Sequence, residues 1–268
     1  MLSRRPLWDD EAAALDLAKG AGVHGAYVRN ALAAGDGDGF LFACDSAGPG
    51  LVWIGPRGNL VVLGGEQLPP ASVTGIVDHV FTLRLPWRIA MGPADLVDAL
   101  RQRSVVPPLV CREQVYYQGS AQTAAAALVR DDMRRAQRAD RDRLVQATLL
   151  LNASDLNLDP ARVDRRWLRD TIDERIADGS TCVLGPVGGP LCKLDYGSDG
   201  PGGLMLEGVF TFAEHRGQGL AAALVASCLR AAPGAVLLHV GQHNHPARAA
   251  YERAGMQAAG SCRLLLLG

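Results

Sequence analysis

The part of the chain best equipped for chemistry runs from residue 207 to residue 224 and reads EGVFTFAEHRGQGLAAAL. Its first residues are largely β-branched or aromatic and predict a strand, and its last residues predict a helix. Gly217 and Gly219 lie between them, where a backbone without Cβ atoms can turn sharply and approach a ligand closely. The first N–H groups of a helix have no intrahelical acceptor, and the helix dipole favours negative charge there. This strand–turn–helix unit therefore predicts an anion cradle suited to a pyrophosphate.

The cradle carries neither of two common phosphate-binding patterns. It contains no Gly-x-Gly-x-x-Gly, and no Lys-Ser or Lys-Thr follows its second glycine. It reads instead Arg-x-x-Gly-x-Ala, from Arg216 through Gly219 to Ala221. A second block, Asn-x-x-Ala-x-x-x-Tyr, begins at Asn244 and ends at Tyr251. Its spacings of three and four place the named side chains on one face of a helix.

The two blocks, in this order and at this spacing, resemble the acyl-CoA signature of the GNAT acyltransferase superfamily. The resemblance covers residues 128–268 and is sharpest between 207 and 255. It implies an α/β fold with a mixed sheet, and the direct transfer of an acetyl group from the co-substrate acetyl-CoA to an amine. Two alternatives stay open: a CoA-binding regulatory or scaffold module without turnover, and a transferase of a longer acyl chain.

The resemblance also implies roles for individual residues. The amides of residues 217–222 would hold the pyrophosphate, and the backbone of residues 209–211 would meet the pantetheine arm as though it were an added strand. Asn244 would hydrogen-bond the pantetheine amides, and Tyr251 would protonate the leaving thiolate, because a phenol is protonated at neutral pH. The implied cofactor-binding residues are Val209, Phe210, Thr211, Arg216, Gly217, Gln218, Gly219, Leu220, Ala221, Ala222 and Asn244.

The general base is assigned to Glu207, at a position that is often acidic in this family. Simple alternation along a strand would put Glu207, Val209 and Thr211 on one face, and partial burial would bring the pKa of Glu207 towards neutrality. If the opposite face lines the acceptor cleft, His239 is the next candidate. The alternative interpretations are an exposed edge carboxylate for Glu207 and a purely packing role for Tyr251.

Three histidines, at positions 239, 243 and 245, raise the question of a metal site. Other potential ligands are scarce nearby, and a helix is predicted to begin among these histidines. Polar loop residues are therefore the preferred interpretation, and the sequence predicts no metal.

The chain is 268 residues long, which exceeds what one such domain needs. Residues 1–125 are interpreted as a smaller, degenerate GNAT-like N-terminal α/β domain, and residues 126–268 as the GNAT N-acetyltransferase domain. After helices over residues 9–34, the front half predicts the order β-β-β-α-β-α-β of an acyltransferase. Its third strand leads into a turn over residues 64–70 that lacks Arg-x-x-Gly-x-Ala and contains two prolines, which offer no N–H donor. This half resembles the degenerate front half of two-part bacterial GNAT proteins and is expected not to bind CoA. In the second half, a helix is predicted from Asp159 to Ala177.

Composition restricts the partners. The net charge is −1, so no overall field draws the chain to nucleic acid or to an anionic membrane. The six cysteines are scattered without a Cys-x-x-Cys pair, the N-terminus turns acidic, and no apolar run approaches the ~20 residues of a membrane span. The expectation is a cytoplasmic enzyme that acts on a small-molecule or peptide amine. Whether the chain forms a homodimer stays open.

Overall fold

The computed structural model describes residues 11–44, 48–55, 58–64, 69–82, 84 and 86–268. The chain forms two compact units. Unit 1 comprises Met1–Val115, Gly200–Gly202 and Gly260–Gly268, and unit 2 comprises Tyr116–Asp199 and Gly203–Ala259. The domain boundary between residues 125 and 126 stays a prediction.

Unit 1 contains the predicted succession of elements. In chain order these are α1 (Glu11–Gly20), α2 (Ala26–Ala34), β1 (Asp38–Cys44), β2 (Gly48–Ile54), β3 (Asn59–Leu63), α3 (Pro70–Thr82), β4 (Ile89–Gly92), α4 (Ala94–Arg103) and β5 (Pro108–Gly119). The order β-β-β-α-β-α-β that follows the N-terminal helices is therefore confirmed. Residues 9 and 10 of the predicted helical region, and residues 65–68 of the predicted proline-containing turn, lie outside the described residues.

The second half of the chain repeats this order after one short strand. Its elements are β6 (Arg134–Arg135), α5 (Arg141–Leu156), α6 (Arg165–Ala177), β7 (Thr181–Leu184), β8 (Cys192–Ser198), β9 (Leu204–Thr211), α7 (Leu220–Ala231), β10 (Val236–Gly241), α8 (His245–Ala254) and β11 (Gln257–Leu267), and β11 belongs to unit 1 from residue 260 onwards. The predicted start of α6 at Asp159 is wrong. Asp159 caps a separate 3₁₀ turn, whereas the Asp164 side chain accepts from the Arg166 and Trp167 amides and so begins α6.

Both units combine antiparallel hairpins with one parallel pair. In unit 1, β1, β2 and β3 are antiparallel and β3 is parallel to β4. In unit 2, β7, β8 and β9 are antiparallel and β9 is parallel to β10. The strand order is β1-β2-β3-β4-β11-β5 in unit 1 and β5-β10-β9-β8-β7-β6 in unit 2. Each unit therefore includes strand residues from the other half of the sequence. In unit 1, β11 lies beside β4, and in unit 2 the end of β5 lies beside β10.

The cores follow from the twofold alternation of strand side chains. In β2, Leu51 and Trp53 pack against α1 and α2, whereas Val52 and Ile54 pack against α3 and α4. In unit 2, Val183 of β7 packs against α5 and α6. Helix α7, on the opposite face, is buried from Leu220 to Leu229 except at Ala221. None of the described helices combines the length and apolar character needed to cross a bilayer.

Candidate functional site

The parallel strands β9 and β10 separate soon after they begin. Val236 pairs with Leu204 and Leu237 with Met205, and in the described part of the chain no later residues of the two strands pair. β9 continues to Thr211 and is held there on its other edge by β8. The edge of β9 that faces β10 therefore offers backbone groups to a ligand with an extended polar chain.

Gly208 forms a β-bulge in the middle of β9. Asp195 of β8 lies opposite Glu207, and Lys193 lies opposite Phe210, so β9 has one residue more than β8 between these pairs. Gly208 has a φ of 56°, a left-handed conformation that a side chain would strain. A Cβ atom there would also lie 2.7 Å from Asp195 Oδ2. The bulge thus depends on glycine for two separate reasons.

The bulge overturns one sequence expectation. Because it adds a residue, Glu207 shares its face with Phe210, and the expectation that Glu207 shares a face with Val209 and Thr211 is wrong. Phe210 is buried, but the Glu207 side chain keeps 47% of its accessible surface. Glu207 Oε2 lies 3.6 Å from Arg175 Nη2, so α6 supplies a cation to the candidate base.

A buried ion pair that sequence reasoning missed lies beneath the bulge. Lys193 is 1% exposed and donates to Asp195, which is 5% exposed. Thr181 Oγ1 also donates to Asp195, at 2.7 Å, and Arg175 Nη1 lies 3.1 Å away without the alignment of a hydrogen bond. Arg175 therefore links the buried carboxylate to Glu207. The available signal was the pair of charged residues two positions apart in an otherwise uncharged strand.

The predicted cradle, residues 216–222, leads into α7. The helix begins at Leu220, and Gly219 is its N-terminal boundary residue. Gly217 and Gly219 both have a φ of 76°, and an added Cβ at either would meet nothing within 4 Å. The first amide to join the helix is that of Ala223, which donates to Gly219 O at 3.0 Å. Within the described residues, the amides of 217–222 therefore have no backbone acceptor and are available to an anion.

The side chains of the cradle divide between solvent and core. Arg216, Gly217 and Gln218 are exposed, Gly219 and Ala221 are half-buried, and Leu220 and Ala222 are buried. Arg216 Nε donates to Thr211 O at 3.1 Å, which ties the cradle to the end of β9.

Helix α5 contributes a second arginine to this region. The Arg143 guanidinium carbon lies 3.4 Å from the ring centroid of Phe212 and is also ion-paired with Glu214. The pKa of Glu214 is lowered by its own backbone amide and by Arg143, so this turn carries a paired rather than an isolated negative charge. Sequence reasoning did not single out Arg143.

Tyr251 is buried on α8 and contacts the ring of Tyr117 edge to face, with centroids 5.9 Å apart. Burial raises its pKa above the ordinary phenol value, and the neighbouring Asp155 and Cys192 act in the same direction. Cys192 accepts a hydrogen bond from Thr211 Oγ1 at 3.2 Å, which places Tyr251 near the end of β9. Its hydroxyl is therefore protonated at neutral pH, as a proton donor must be.

Asn244 begins α8, and its side-chain oxygen accepts from the Ala247 amide at 3.2 Å. The predicted ligand therefore also caps the helix, and its amide nitrogen can serve other partners. His239 contacts the ring of Tyr116, with centroids 5.8 Å apart. Among the described residues, no group of three or more His, Cys, Asp or Glu side chains is placed to hold a metal ion.

These elements define an α/β unit with a splayed parallel strand pair, a glycine-rich helix N-terminus and a buried tyrosine. Residues 154–256 match the model of the Acetyltransferase (GNAT) family. The matched segment runs from the last turn of α5 to just beyond α8. The match places it in the GNAT superfamily, as the two sequence motifs predict.

Solved structures extend the likeness to nearly the whole chain. An acetyltransferase of the GNAT family from Colwellia psychrerythraea is 13% identical with a TM-score of 0.55, and the alignment covers 100% of this chain and 99% of that one. A Drosophila protein is 16% identical with a TM-score of 0.63, covering 98% of each chain. A GCN5-related N-acetyltransferase from Kribbella flavida is 13% identical with a TM-score of 0.54, covering 94% and 95%.

At these identities the likeness shows the fold, and it confirms the predicted mixed α/β class with a GNAT fold. No protein with a curated description matches the chain.

Proposed function

We propose that this protein is an acetyl-CoA-dependent N-acetyltransferase that transfers the acetyl group directly to an amine of a small molecule or peptide. The observation that carries the proposal is the continuity of the unpaired edge of β9 with the cradle. An extended pantetheine arm needs backbone partners along its length, and a pyrophosphate needs several N–H donors at its end. Residues 206–211 and 217–222 offer these two features in succession.

Within this proposal, the cofactor-binding residues are those of β9 and the cradle, with Asn244 beside them. Val209, Phe210 and Thr211 act through their backbone, since β10 leaves this edge of β9 unpaired, with the exception of the Thr211 carbonyl, which accepts from Arg216. Gly217 and Gly219 keep the cradle accessible because neither has a neighbour within 4 Å of its Cβ position. The other members of the set present amide groups, and Arg216 adds a positive charge near the phosphates.

The chemistry requires two proton transfers. Glu207 takes a proton from the acceptor ammonium, directly or through one water, and Arg175 holds its carboxylate in place. The amine then attacks the thioester carbonyl carbon, and the C–S bond breaks. Tyr251 gives its proton to the departing thiolate. Its raised pKa keeps the phenol protonated at neutral pH, so this proton is available.

Calorimetry of acetyl-CoA binding tests the cradle. Gly219→Glu puts a carboxylate where the phosphates bind, and like charges about 4 Å apart near a protein surface repel by roughly 1–4 kcal/mol. We therefore expect binding about ten- to a thousandfold weaker. Gly234→Glu is the matched control, because Gly234 at the far end of α7 also has nothing within 4 Å of its Cβ position. Gly219→Ala separates backbone strain at a φ of 76° from the effect of charge.

Wild-type affinity in Gly219→Glu would contradict the cradle assignment. Transfer is then measured by the release of free CoA over pooled amines, with mass spectrometry of the products. Tight acetyl-CoA binding without transfer to any amine would favour a regulatory or scaffold module. Faster transfer from a longer acyl-CoA than from acetyl-CoA would favour a transferase of a longer acyl chain.

A further inference from the structure

Four elements of unit 2 bring two cysteines, a tyrosine and an arginine together on the sheet face covered by α7. Cys182 of β7 and Cys228 of α7 are 1% and 0% exposed. Arg135 of β6 is the direct cross-strand neighbour of Cys182, so both side chains leave the sheet on one face. The hydroxyl of Tyr196 on β8 lies 3.8 Å from Cys228 Sγ.

The hydrogen bonds converge on the sulfur of Cys182. Arg135 Nη1 donates to Cys182 Sγ at 3.2 Å and to Gly179 O at 2.7 Å. Cys228 and Tyr196 also lie close enough to act on the pKa of Cys182. The Tyr196 hydroxyl itself donates to Cys228 Sγ, and the Cys228 thiol donates to Met133 Sδ at 3.6 Å. A sulfur that accepts from a guanidinium N–H is better matched as a thiolate than as a thiol, so this contact favours the ionised form of Cys182.

The Arg135 guanidinium compensates the negative charge of a Cys182 thiolate. The Arg135 guanidinium lies 4.4 Å from the ring centroid of Tyr196 and is held between that ring and Cys182. The hydrogen bonds from Cys228, Tyr196 and Arg135 lower the pKa of the Cys182 thiol to about 6 although burial opposes the change. The same contact raises the pKa of Cys228, which keeps its proton. The contact with Arg135 assigns the thiolate to Cys182 and leaves the thiol at Cys228.

We propose that Cys182 and Cys228 form a thiolate–thiol pair that is the site of oxidative modification in this protein, closing to a disulfide between β7 and α7. The Cys182 thiolate attacks one oxygen of hydrogen peroxide, the O–O bond breaks, and hydroxide leaves with the bonding electrons. Cys182 becomes a sulfenic acid. The Cys228 sulfur then attacks the Cys182 sulfur, the S–O bond breaks, and the Cys228 proton leaves with the oxygen as water. Two sulfurs lose one electron each, and one peroxide is reduced to one hydroxide and one water.

The position of the pair suggests how a small oxidant reaches it. β6 comprises only two residues, lies at the end of the strand order, and carries Arg135 in an exposed position. Local opening of this strand would uncover Cys182, and it has to break the contacts of Arg134 with Asp140, Gly185 O and Pro186 O. The resulting bond ties α7, the helix that begins at the cradle, to the sheet.

Cys192 is a buried cysteine of the same unit with which the environment of Cys182 can be compared. It is also buried, at 0% exposure, but it accepts its side-chain hydrogen bond from the neutral Thr211 hydroxyl. Burial raises the pKa of Cys192 to about 11, so its thiol stays protonated. Cys111 follows the same direction, because burial and the nearby Asp98 raise its pKa. The oxidation is therefore expected to be selective for the pair.

The first measurement is the ultraviolet absorbance of thiolate in the full chain, which detects a buried thiolate as well as an exposed one. We expect the loss of one thiolate signal on acidification, with a midpoint near pH 6. The signal should be absent in Cys182→Ala, unchanged in Cys192→Ala, and shifted to higher pH in Arg135→Gln. A signal that persists in folded Cys182→Ala would overturn the charge assignment.

The second measurement needs no variant. The protein is exposed to a small molar excess of hydrogen peroxide, alkylated under denaturing conditions, and mapped by peptide mass spectrometry. We expect a linked Cys182–Cys228 peptide, reversible by dithiothreitol, while Cys192 is recovered as an alkylated thiol. In Cys228→Ala the reaction should stop at a sulfenic acid on Cys182, trapped by a dimedone reagent. Recovery of Cys182 and Cys228 as alkylated thiols, or linkage through Cys192, would overturn the proposal.

Discussion

The buried ion pair of Lys193 and Asp195 provides the sharpest test of how unit 2 is held together. Asp195→Asn removes the negative charge but keeps the shape of the side chain. It leaves the Lys193 ammonium, 1% exposed, without its anion. Lys193→Met removes the positive charge instead, and Asp195 then keeps the Thr181 hydroxyl at 2.7 Å and Arg175 at 3.1 Å. The two substitutions are therefore expected to lower the free energy of unfolding by different amounts.

The magnitudes follow from this asymmetry. Leaving a buried charge without its partner typically costs about 3–5 kcal/mol, which is the expected loss for Asp195→Asn. For Lys193→Met we expect about 1–3 kcal/mol, the range for one lost charged hydrogen bond whose acceptor keeps other donors. The double variant removes both charges, so its loss should be smaller than the sum of the single losses by about 1–3 kcal/mol.

The assay must report on unit 2 and not on the chain as a whole. Hydrogen exchange of the peptide that contains β8 is measured at increasing urea concentrations, because exchange in this peptide reports the local free energy of opening. Thr74→Ala, at an exposed position of α3 in unit 1, controls for a general loss of stability. Equal losses for Asp195→Asn and Lys193→Met, or strictly additive losses in the double variant, would refute the argument that Arg175 and Thr181 support the carboxylate.

Two further predictions concern catalysis, once an acceptor is identified. Tyr251→Phe should lower kcat by a factor of about 10²–10⁴ while acetyl-CoA affinity stays near wild type, because the ring packing on Tyr117 survives. Steady-state kinetics measures kcat and calorimetry measures the affinity. An unchanged kcat would leave Tyr251 with a packing role only. Glu207→Gln should remove the acidic limb of the pH–rate profile with acetyl-CoA affinity intact. A profile that superimposes on wild type would exclude Glu207 as the base and leave water or the substrate to take the proton.

The sequence by itself determined the order of elements and the chemistry of the cradle. Hydrophobic periodicity and glycine or proline at the ends predict a strand or a helix from local residues, and both units follow the predicted order. The two acyl-CoA motifs are short continuous stretches, so their spacing along the chain already reflects their spacing in space. The late start of α6 shows the limit of this reasoning, because both Asp159 and Asp164 have the chemistry of a cap.

Only the tertiary structure decided which strands are neighbours and what their side chains meet. The placement of β11 beside β4, the bulge at Gly208 and the early separation of β9 from β10 all depend on strand register. Register is set by the packing of a whole sheet against its helices, and a one-residue change exchanges the two faces. That is why Glu207 came to share a face with Phe210 and to pair with Arg175 from α6. The same dependence explains why Cys182 and Cys228, unremarkable in the sequence, meet beneath one arginine.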